Sequence, residues 1–487
     1  MSSEIRFLLD GKLVAATDRP PTTTVLEYLR EELHRTGTKE GCAEGDCGAC
    51  TVVLGELSTD GNQIRYRAVN SCIRMLPTID GQELVTVESL QDDGGELHPV
   101  QQALVDHHAS QCGFCTPGFV MSLFALYLQT TRATREQVLE AISGNLCRCT
   151  GYRPIIEAGC RMADYPAPDH WGPGAASNGE RSQALRGMRR ESALRLPGFV
   201  APRSLEELAA TLEAQPEALI LAGGTDIGLW VTKQLRDLPP IVYLGEVAEL
   251  KEMRSESRGI VIGAAVSLAE GWSAIVGAYP ELSEIAQRFG SPPVRNAGTL
   301  CGNLANGSPI GDAMPILIAL GAEIELRCGS RSRQLPLEEF YLGYQRKDLA
   351  PGEFLVAVTV PPRRATAWVA SYKVSKRFDQ DISAVCAAFA VQVRDGQVTA
   401  ARIAFGGMAA IPARARHAEK ALIGAEWTTA SIEAAAAALG ADFQPLTDLR
   451  ATAAYRLQVA RNLLQRFYLE HAEPALALRT GAIAGSA

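Results

Sequence analysis

The sequence predicts a multidomain α+β protein made of successive compact units, and three observations carry that reading. The chain has 487 residues, more than one hydrophobic core supports, so three or four units are expected. Eight of its twelve cysteines fall before Gly151. The residue pattern also changes along the chain, from short strands to helices and then to alternation of the two.

Residues 1–87 read as strands, such as Ile5 to Leu9 and Thr51 to Leu54, around one helix from Thr24 to Leu33. Thr22 to Thr24 supply possible N-caps, and Val25, Leu26, Leu29 and Leu33 recur at helical spacing. In residues 88–164 the pattern turns helical. Thr116 reads as an N-cap followed by Pro117 at the first helical position, and Thr134 with Gln137 has the spacing of a capping box. Each of these helices has cysteines at one end, as in a small bundle that holds something between helix termini.

Residues 165–192 lack apolar periodicity and are rich in proline, glycine and polar residues, which predicts an exposed linker. Residues 193–365 alternate strand and helix, for example a strand from Ala218 to Ala222 followed by a glycine turn and a helix from Asp226. Residues 366–475 contain strands Ser383 to Val393 and Val398 to Phe405, joined by Asp395-Gly396, and then alanine-rich helices; 476–487 reads as a tail.

Composition excludes several classes of function. A formal charge of −8 leaves no basic stripe for a nucleic-acid backbone. Apolar residues make up 47% of the chain, yet no run is long enough to cross a bilayer. The first ten residues alternate like a strand and lack the parts of a secretory signal, so a cytoplasmic location is expected. In that reducing compartment metal ligation is the first reading of crowded cysteines.

Cys42, Cys47 and Cys50 have the spacing C-x4-C-x2-C, with Cys72 further on. Four thiolates satisfy a [2Fe–2S] centre, and this is the plant-type ferredoxin spacing. Gly41, Gly45 and Gly48 give the loop freedom to wrap a cluster with its amides facing sulfur. Zinc and buried free thiols are the alternatives. Cys112 and Cys115 form C-x2-C, and Cys147 and Cys149 form C-x-C; alone this set suits zinc equally, while beside a plant-type set it suits a second one-electron centre. Cys160, Cys301, Cys328 and Cys386 have no partners at useful spacing and read as small buried apolar residues.

Ile220, Leu221, Ala222, Gly223, Gly224, Thr225, Asp226 and Ile227 place a glycine pair between a strand and a helix start, where backbone N–H groups can face a pyrophosphate. The run is not G-x-G-x-x-G, so a Rossmann fold is poorly supported, and a plain strand–helix turn is the alternative. A second loop, Asn296 to Asn303, continues through Ser308 to Asp312 and is rich in glycine and small polar residues.

Three stretches, Gly41 to Cys50, Gln111 to Gly118 and Asn145 to Tyr152, resemble the signatures of the xanthine oxidase family of molybdenum hydroxylases, and the glycine loops resemble that family's FAD-binding segments. The resemblance covers nearly the whole chain. It implies a β-grasp plant-type ferredoxin domain, a helical-bundle [2Fe–2S] domain, a vanillyl-alcohol-oxidase-like FAD domain in two lobes and a small α+β C-terminal domain. Carried over, Ile220 to Ile227 would hold the pyrophosphate region of FAD, and Thr299, Gly302, Asn303 and Asp312 would contact phosphate, ribityl and ring edges. Phe289 and Leu355 fall where the family packs apolar side chains on the flavin, with core packing as the alternative. Lys373 aligns with a basic flavin contact, with a solvated lysine as the alternative, and Gln111 with a residue that touches the pterin, here in trans. Arg377 to Asp381 departs from the charged pairs expected at that point.

The resemblance further implies a route in which substrate is hydroxylated at molybdenum on another polypeptide and electrons pass through the Cys112 cluster and the Cys42 cluster to FAD, then to NAD+. The sequence runs to Ala487 without a molybdenum domain, so a large molybdenum-cofactor-binding partner is expected, in a heterotetramer of two pairs. Fused iron–sulfur and flavin parts favour the bacterial xanthine dehydrogenase type over carbon monoxide dehydrogenase-like relatives. An aldehyde or N-heterocycle hydroxylase and a zinc-stabilised non-catalytic module are the rival readings.

Overall fold

The computed structural model describes residues 4–58, 61–91, 94–168, 171–172 and 179–473. They gather into two units. One runs to Glu249 and adds Ser267–Ala269 and Gly290–Thr299; the other takes Leu250–Val266, Glu270–Phe289 and the chain from Leu300.

The first unit begins with a mixed sheet of Ile5–Leu9 (β1), Lys12–Ala16 (β2), Thr51–Leu57 (β3), Ile64–Asn70 (β4) and Glu83–Val85 (β5), in the order β2-β1-β5-β3-β4. Only β1 and β5 pair in parallel. Alternation gives the sheet two buried faces. Ile5, Phe7 and Leu9 join Val25, Tyr28, Leu29 and Val52 in one core, whereas Leu8 joins Val53, Tyr66 and Val85 in another. The predicted helix starts as expected, with Thr24 in a capping box with Glu27, but only Val25–Glu27 (α1) is α-helical; Tyr28–Glu32 widens into a π turn. This is the expected β-grasp arrangement.

The second face of the sheet is covered by the helical part, whose helices are Pro99–Asp106 (α2), Thr116–Tyr127 (α3), Arg135–Ile142 (α4) and Arg153–Arg161 (α5). Phe119, Leu123, Phe124, Val138 and Ile155 fill the same core as Leu8 and Val85, so the two cysteine-bearing parts share one apolar interior. Thr134 and Gln137 form the expected capping box. At α3 the cap lies one residue earlier than predicted: Cys115 occupies it, and the Thr116 hydroxyl instead bonds Ser110 at 2.7 Å.

The segment 165–192 is not the exposed strand of linker that its composition predicts. Trp171 is fully buried and donates to the Ser89 carbonyl at 2.9 Å, and Gly179–Met188 (α6) buries Ser182, Leu185 and Met188. One aromatic ring and two apolar side chains give enough buried area to dock a polar stretch. Residues 169–170 and 173–178, among them Pro173 and Gly174, lie outside the described residues, as does the predicted tail 476–487.

The first unit closes with a four-stranded sheet of Leu194–Leu196 (β6), Phe199–Ala201 (β7), Leu219–Leu221 (β8) and Ile241–Tyr243 (β9), in the order β6-β7-β9-β8, with helices Leu205–Ala214 (α7) and Ile227–Thr232 (α8). The second unit holds an antiparallel sheet of Met253–Glu256 (β10), Gly259–Gly263 (β11), Glu323–Cys328 (β12), Arg331–Pro336 (β13) and Phe354–Val360, ordered β10-β11-(354–360)-β12-β13. It also holds a C-terminal sheet built on the hairpin Val385–Arg394 and Gln397–Gly406. That hairpin turns at Asp395-Gly396, both with positive φ, as a two-residue turn of this type requires. Helices Thr429–Asp442 and Ala453–Ala472 pack Leu439, Leu464 and Phe467 against Phe389 and Phe405. No helix among the described residues is long and apolar enough to cross a membrane.

Candidate functional site

The first cysteine loop gathers its four thiols. Cys50 and Cys72 are buried with their sulfurs 3.2 Å apart, and Cys42 is near enough to Cys47 and Cys72 for their thiols to shift its titration. Backbone amides face sulfur as the glycine-rich spacing predicts: the N–H groups of Glu44 and Cys47 lie 3.4 and 3.3 Å from Cys42 Sγ. The neighbouring Cys47 and Cys72 thiols, followed by these two amides, hold the Cys42 thiol well below its usual range against burial. Cys72 is pushed well above it by the Cys42 and Cys50 thiols and by burial.

In the second set, Cys149 and Cys112 lie 3.6 Å apart on the exposed side, and Cys115 and Cys147 are half-buried neighbours that shift each other's titration. Burial pushes the Cys115 thiol up to about 12. For Cys147 burial is outweighed by the Thr150 hydroxyl and amide, 3.3 and 3.5 Å from its sulfur, which hold the thiol low. Tyr152 supports this turn by accepting the Cys147 amide at 2.9 Å. Gln111 is exposed and donates to the Cys149 carbonyl at 3.2 Å.

The two loops touch. Leu146, next to Cys147, donates its amide to the carbonyl of Cys47 at 2.9 Å. The buried Asn145 side chain donates to the Gly48 carbonyl at 3.1 Å and accepts from Ser122 at 2.7 Å.

Both glycine loops meet inside the first unit. A Cβ on Gly223 would collide with the backbone of Ala297 and Gly298, so only glycine lets the turn after β8 lie flat on the second loop. Leu221 sits in the apolar core with Phe199 and Tyr243, and Asp226 occupies the N-terminal position of α8. Thr299 bridges to Ser267 in this unit.

The remaining predicted flavin contacts lie in the second unit. Lys373 is buried, which removes the solvated alternative, and its Nζ lies 2.7 Å from Asp312 Oδ2 and 3.3 Å from the Arg288 carbonyl. Ser383 donates to the other Asp312 oxygen at 2.6 Å. Phe289 packs on Trp272 with ring centroids 5.5 Å apart, and Leu355 pairs with Leu326 across the sheet. Gly302 and Asn303 lie on helix Leu300–Asn306, and the buried Asn303 Oδ1 has no hydrogen-bond partner among the described residues. The loop Arg377 to Asp381 closes on itself, Asp381 accepting the Arg377 amide at 2.8 Å, while Phe378 lies under the Arg288 guanidinium at 4.4 Å.

Four stretches of the chain match known family models. Residues 7–75 match the 2Fe-2S iron-sulfur cluster binding domain, 86–160 the [2Fe-2S] binding domain, 192–363 the FAD binding domain in molybdopterin dehydrogenase, and 370–471 the CO dehydrogenase flavoprotein C-terminal domain. The chain belongs to the molybdenum hydroxylase family. Within that family it is an iron–sulfur and FAD electron-transfer module. It is 31% identical to xanthine dehydrogenase of Emericella nidulans over 95% of its length, and 34% identical to that of Drosophila pseudoobscura pseudoobscura over 84%. The chain spans only 38% and 34% of those relatives. Among solved structures, a chain of carbon monoxide dehydrogenase from Hydrogenophaga pseudoflava is 32% identical, with a TM-score of 0.52, over 55% of this chain and 94% of that one. A chain of quinoline 2-oxidoreductase from Pseudomonas putida 86 is 28% identical, with a TM-score of 0.51, over 56% and 96%.

The residues present fit the groups this family implies. Among the described residues no group of three or more His, Cys, Asp or Glu side chains is placed for a metal ion on its own, whereas a di-iron centre takes four thiolates, two to each iron. Two sets of four thiols, each with one close sulfur–sulfur contact, match that count. In the first unit the close-packed Gly223 turn suits a nucleotide's phosphates; in the second, the unpartnered Asn303 oxygen suits a hydrogen-bond donor of a ligand. Asn145, Thr150 and Tyr152 stand inside a recognised signature that assigns them no contacts, and Ser383 reads only as a strand start; a lone hydroxyl or amide has no periodicity to announce its partner. Cys301 and Cys386 are buried as expected, but Cys160 and Cys328 are only partly so; Cys160 lies late in α5 and Cys328 ends β12, where neighbours cover one side.

Proposed function

We propose that the chain serves as the electron-transfer part of a xanthine dehydrogenase, beside a separate molybdenum-cofactor-binding subunit that oxidises hypoxanthine and xanthine to urate. Cys42, Cys47, Cys50 and Cys72 would hold one [2Fe–2S] centre, and Cys112, Cys115, Cys147 and Cys149 the other. The observation that carries the reading is the amide of Leu146 on the carbonyl of Cys47, 2.9 Å apart, which joins the two cysteine loops by one hydrogen bond.

Bound flavin supplies the conversion of single-electron traffic into hydride chemistry at NAD+. The protein's own part is positional. Gln111 and the Cys112–Cys149 pair are exposed and would face the partner subunit, while Cys147 and Cys47 are half-buried, where a backbone bond from Leu146 to Cys47 joins their loops. In the first unit Ile220 to Ile227 and Thr299 would offer backbone amides to the pyrophosphate; in the second, taken by itself, the unpartnered Asn303 oxygen and the buried Lys373, held by Asp312, would be suited to flavin contacts. Phe289 and Leu355 would exclude water beside the ring.

The likeness to quinoline 2-oxidoreductase supports a second reading, in which the partner hydroxylates an aldehyde or another N-heterocycle. The test is to assemble the complex with its molybdenum subunit and follow FAD bleaching with xanthine, an aldehyde and nicotinate in separate anaerobic mixtures, then NADH formation. Bleaching by xanthine with NAD+ as acceptor supports the first reading; bleaching by another substrate alone selects the second.

A further inference from the structure

Helix α8, which follows the first glycine turn, ends against the first cysteine loop. The Thr232 hydroxyl donates to the Ala43 carbonyl at 2.6 Å, and Lys233 Nζ donates to the carbonyl of Cys42 itself at 3.0 Å. The approach is close enough to require glycine at 228, where a Cβ would lie 2.7 Å from the Ile73 carbonyl and 2.8 Å from its Cβ. The next residue, Leu229, packs on the apolar cluster of Leu26, Cys50, Cys72 and Ile73. The helix therefore grips the loop at both ends of its cysteine set, and its last side chain brings a positive charge to a ligand's own backbone.

We infer that Lys233 is a positioning residue that sets the reduction potential of the Cys42 centre. The inference rests on the reading that these four cysteines hold a [2Fe–2S] cluster. Reduction adds one electron and no proton in this account, so the reduced centre carries one more negative charge than the oxidised one. A nearby ammonium favours it, and cluster potentials respond to net charge and hydrogen bonding around the ligands. Lys233 is exposed, so the effect is partly screened and weakens as salt rises. The consequence is directional: a higher potential at the Cys42 centre draws electrons off the Cys112 centre, whose loop Lys233 does not touch through this bond.

The test is an EPR-monitored redox titration of the full chain. Lys233→Gln should lower the potential of one di-iron signal, by about tenfold in the electron-sharing equilibrium or roughly 59 mV for one electron, and leave the other in place. Lys233→Arg, which keeps the charge, should stay near the unaltered value. Thr232→Val, which loosens the helix without changing charge, should shift it less than Lys233→Gln does. Unchanged potentials in Lys233→Gln with both signals present overturn the inference, as does a Lys233→Arg shift equal to the Gln one. Loss of both di-iron signals in the unaltered chain overturns the cluster reading and the inference together.

Discussion

Leu146 and Cys47 are joined by a backbone hydrogen bond of 2.9 Å, although 99 residues separate them. One is the neighbour of a thiol in the second cysteine set, and the other is a thiol-bearing residue of the first. The bond is possible because the back of the β-grasp sheet and the helical bundle share one core, which brings their cysteine loops to the same edge. Covalent and hydrogen-bonded backbone thus connects two candidate centres.

Asn145 secures that junction, being buried and bonded to Gly48, Ser122 and Thr51. Asn145→Ala leaves the Gly48 carbonyl and Ser122 hydroxyl without it, at about 1–3 kcal/mol of stability. A denaturant melt of purified protein should show that loss, and rapid-mixing experiments should show slower filling of the flavin from the Cys112 side.

Cys147→Ser should interrupt reduction of FAD by the partner's substrate while sparing its reduction by NADH. Stopped-flow absorbance of the assembled complex reads both. Equal substrate-driven turnover in the variant would contradict the route through the second set.

Much of this was legible before folding. The cysteine spacings, the glycine pair at Gly223-Gly224, the capping box at Thr134 and the turn at Asp395-Gly396 are local, and local chemistry is written in consecutive residues. Two features were not. The docking of 165–192 depends on one ring, Trp171, finding a core formed by residues distant in sequence. The Lys373–Asp312–Ser383 arrangement joins residues on three separate elements, which no periodicity announces.

That arrangement makes its own prediction. Lys373→Met leaves the Asp312 carboxylate as an unpaired buried charge and should cost about 3–5 kcal/mol. Adding Asp312→Asn should restore part of the stability. FAD content per chain, measured by absorbance after gel filtration, should fall in the single variant and in the double one, since stability returns without the charge proposed to contact the flavin.

Acid sensitivity should trace in part to Asp448. The Ala451 amide, followed by the Arg450 amide and the Arg456 guanidinium, holds its carboxyl down at about 2 against burial's upward push. A group depressed on folding stabilises the protein fully above its unfolded pKa and loses that contribution as pH falls, here between about 4 and 2. Glu83 has the opposite sign: burial raises its pKa despite Arg181 and Tyr66, so its contribution is present at low pH and declines as pH rises through the raised value. In melting curves across pH, Asp448→Asn should flatten the acid limb and Glu83→Gln the limb above the usual carboxylate range.

The central claim is that eight cysteines hold two unlike di-iron centres, one per loop. Freshly purified, dithionite-reduced protein should show two distinct EPR signals of equal spin, with iron and acid-labile sulfide in matching amounts and negligible zinc. A single signal, or stoichiometric zinc with no iron, would contradict it.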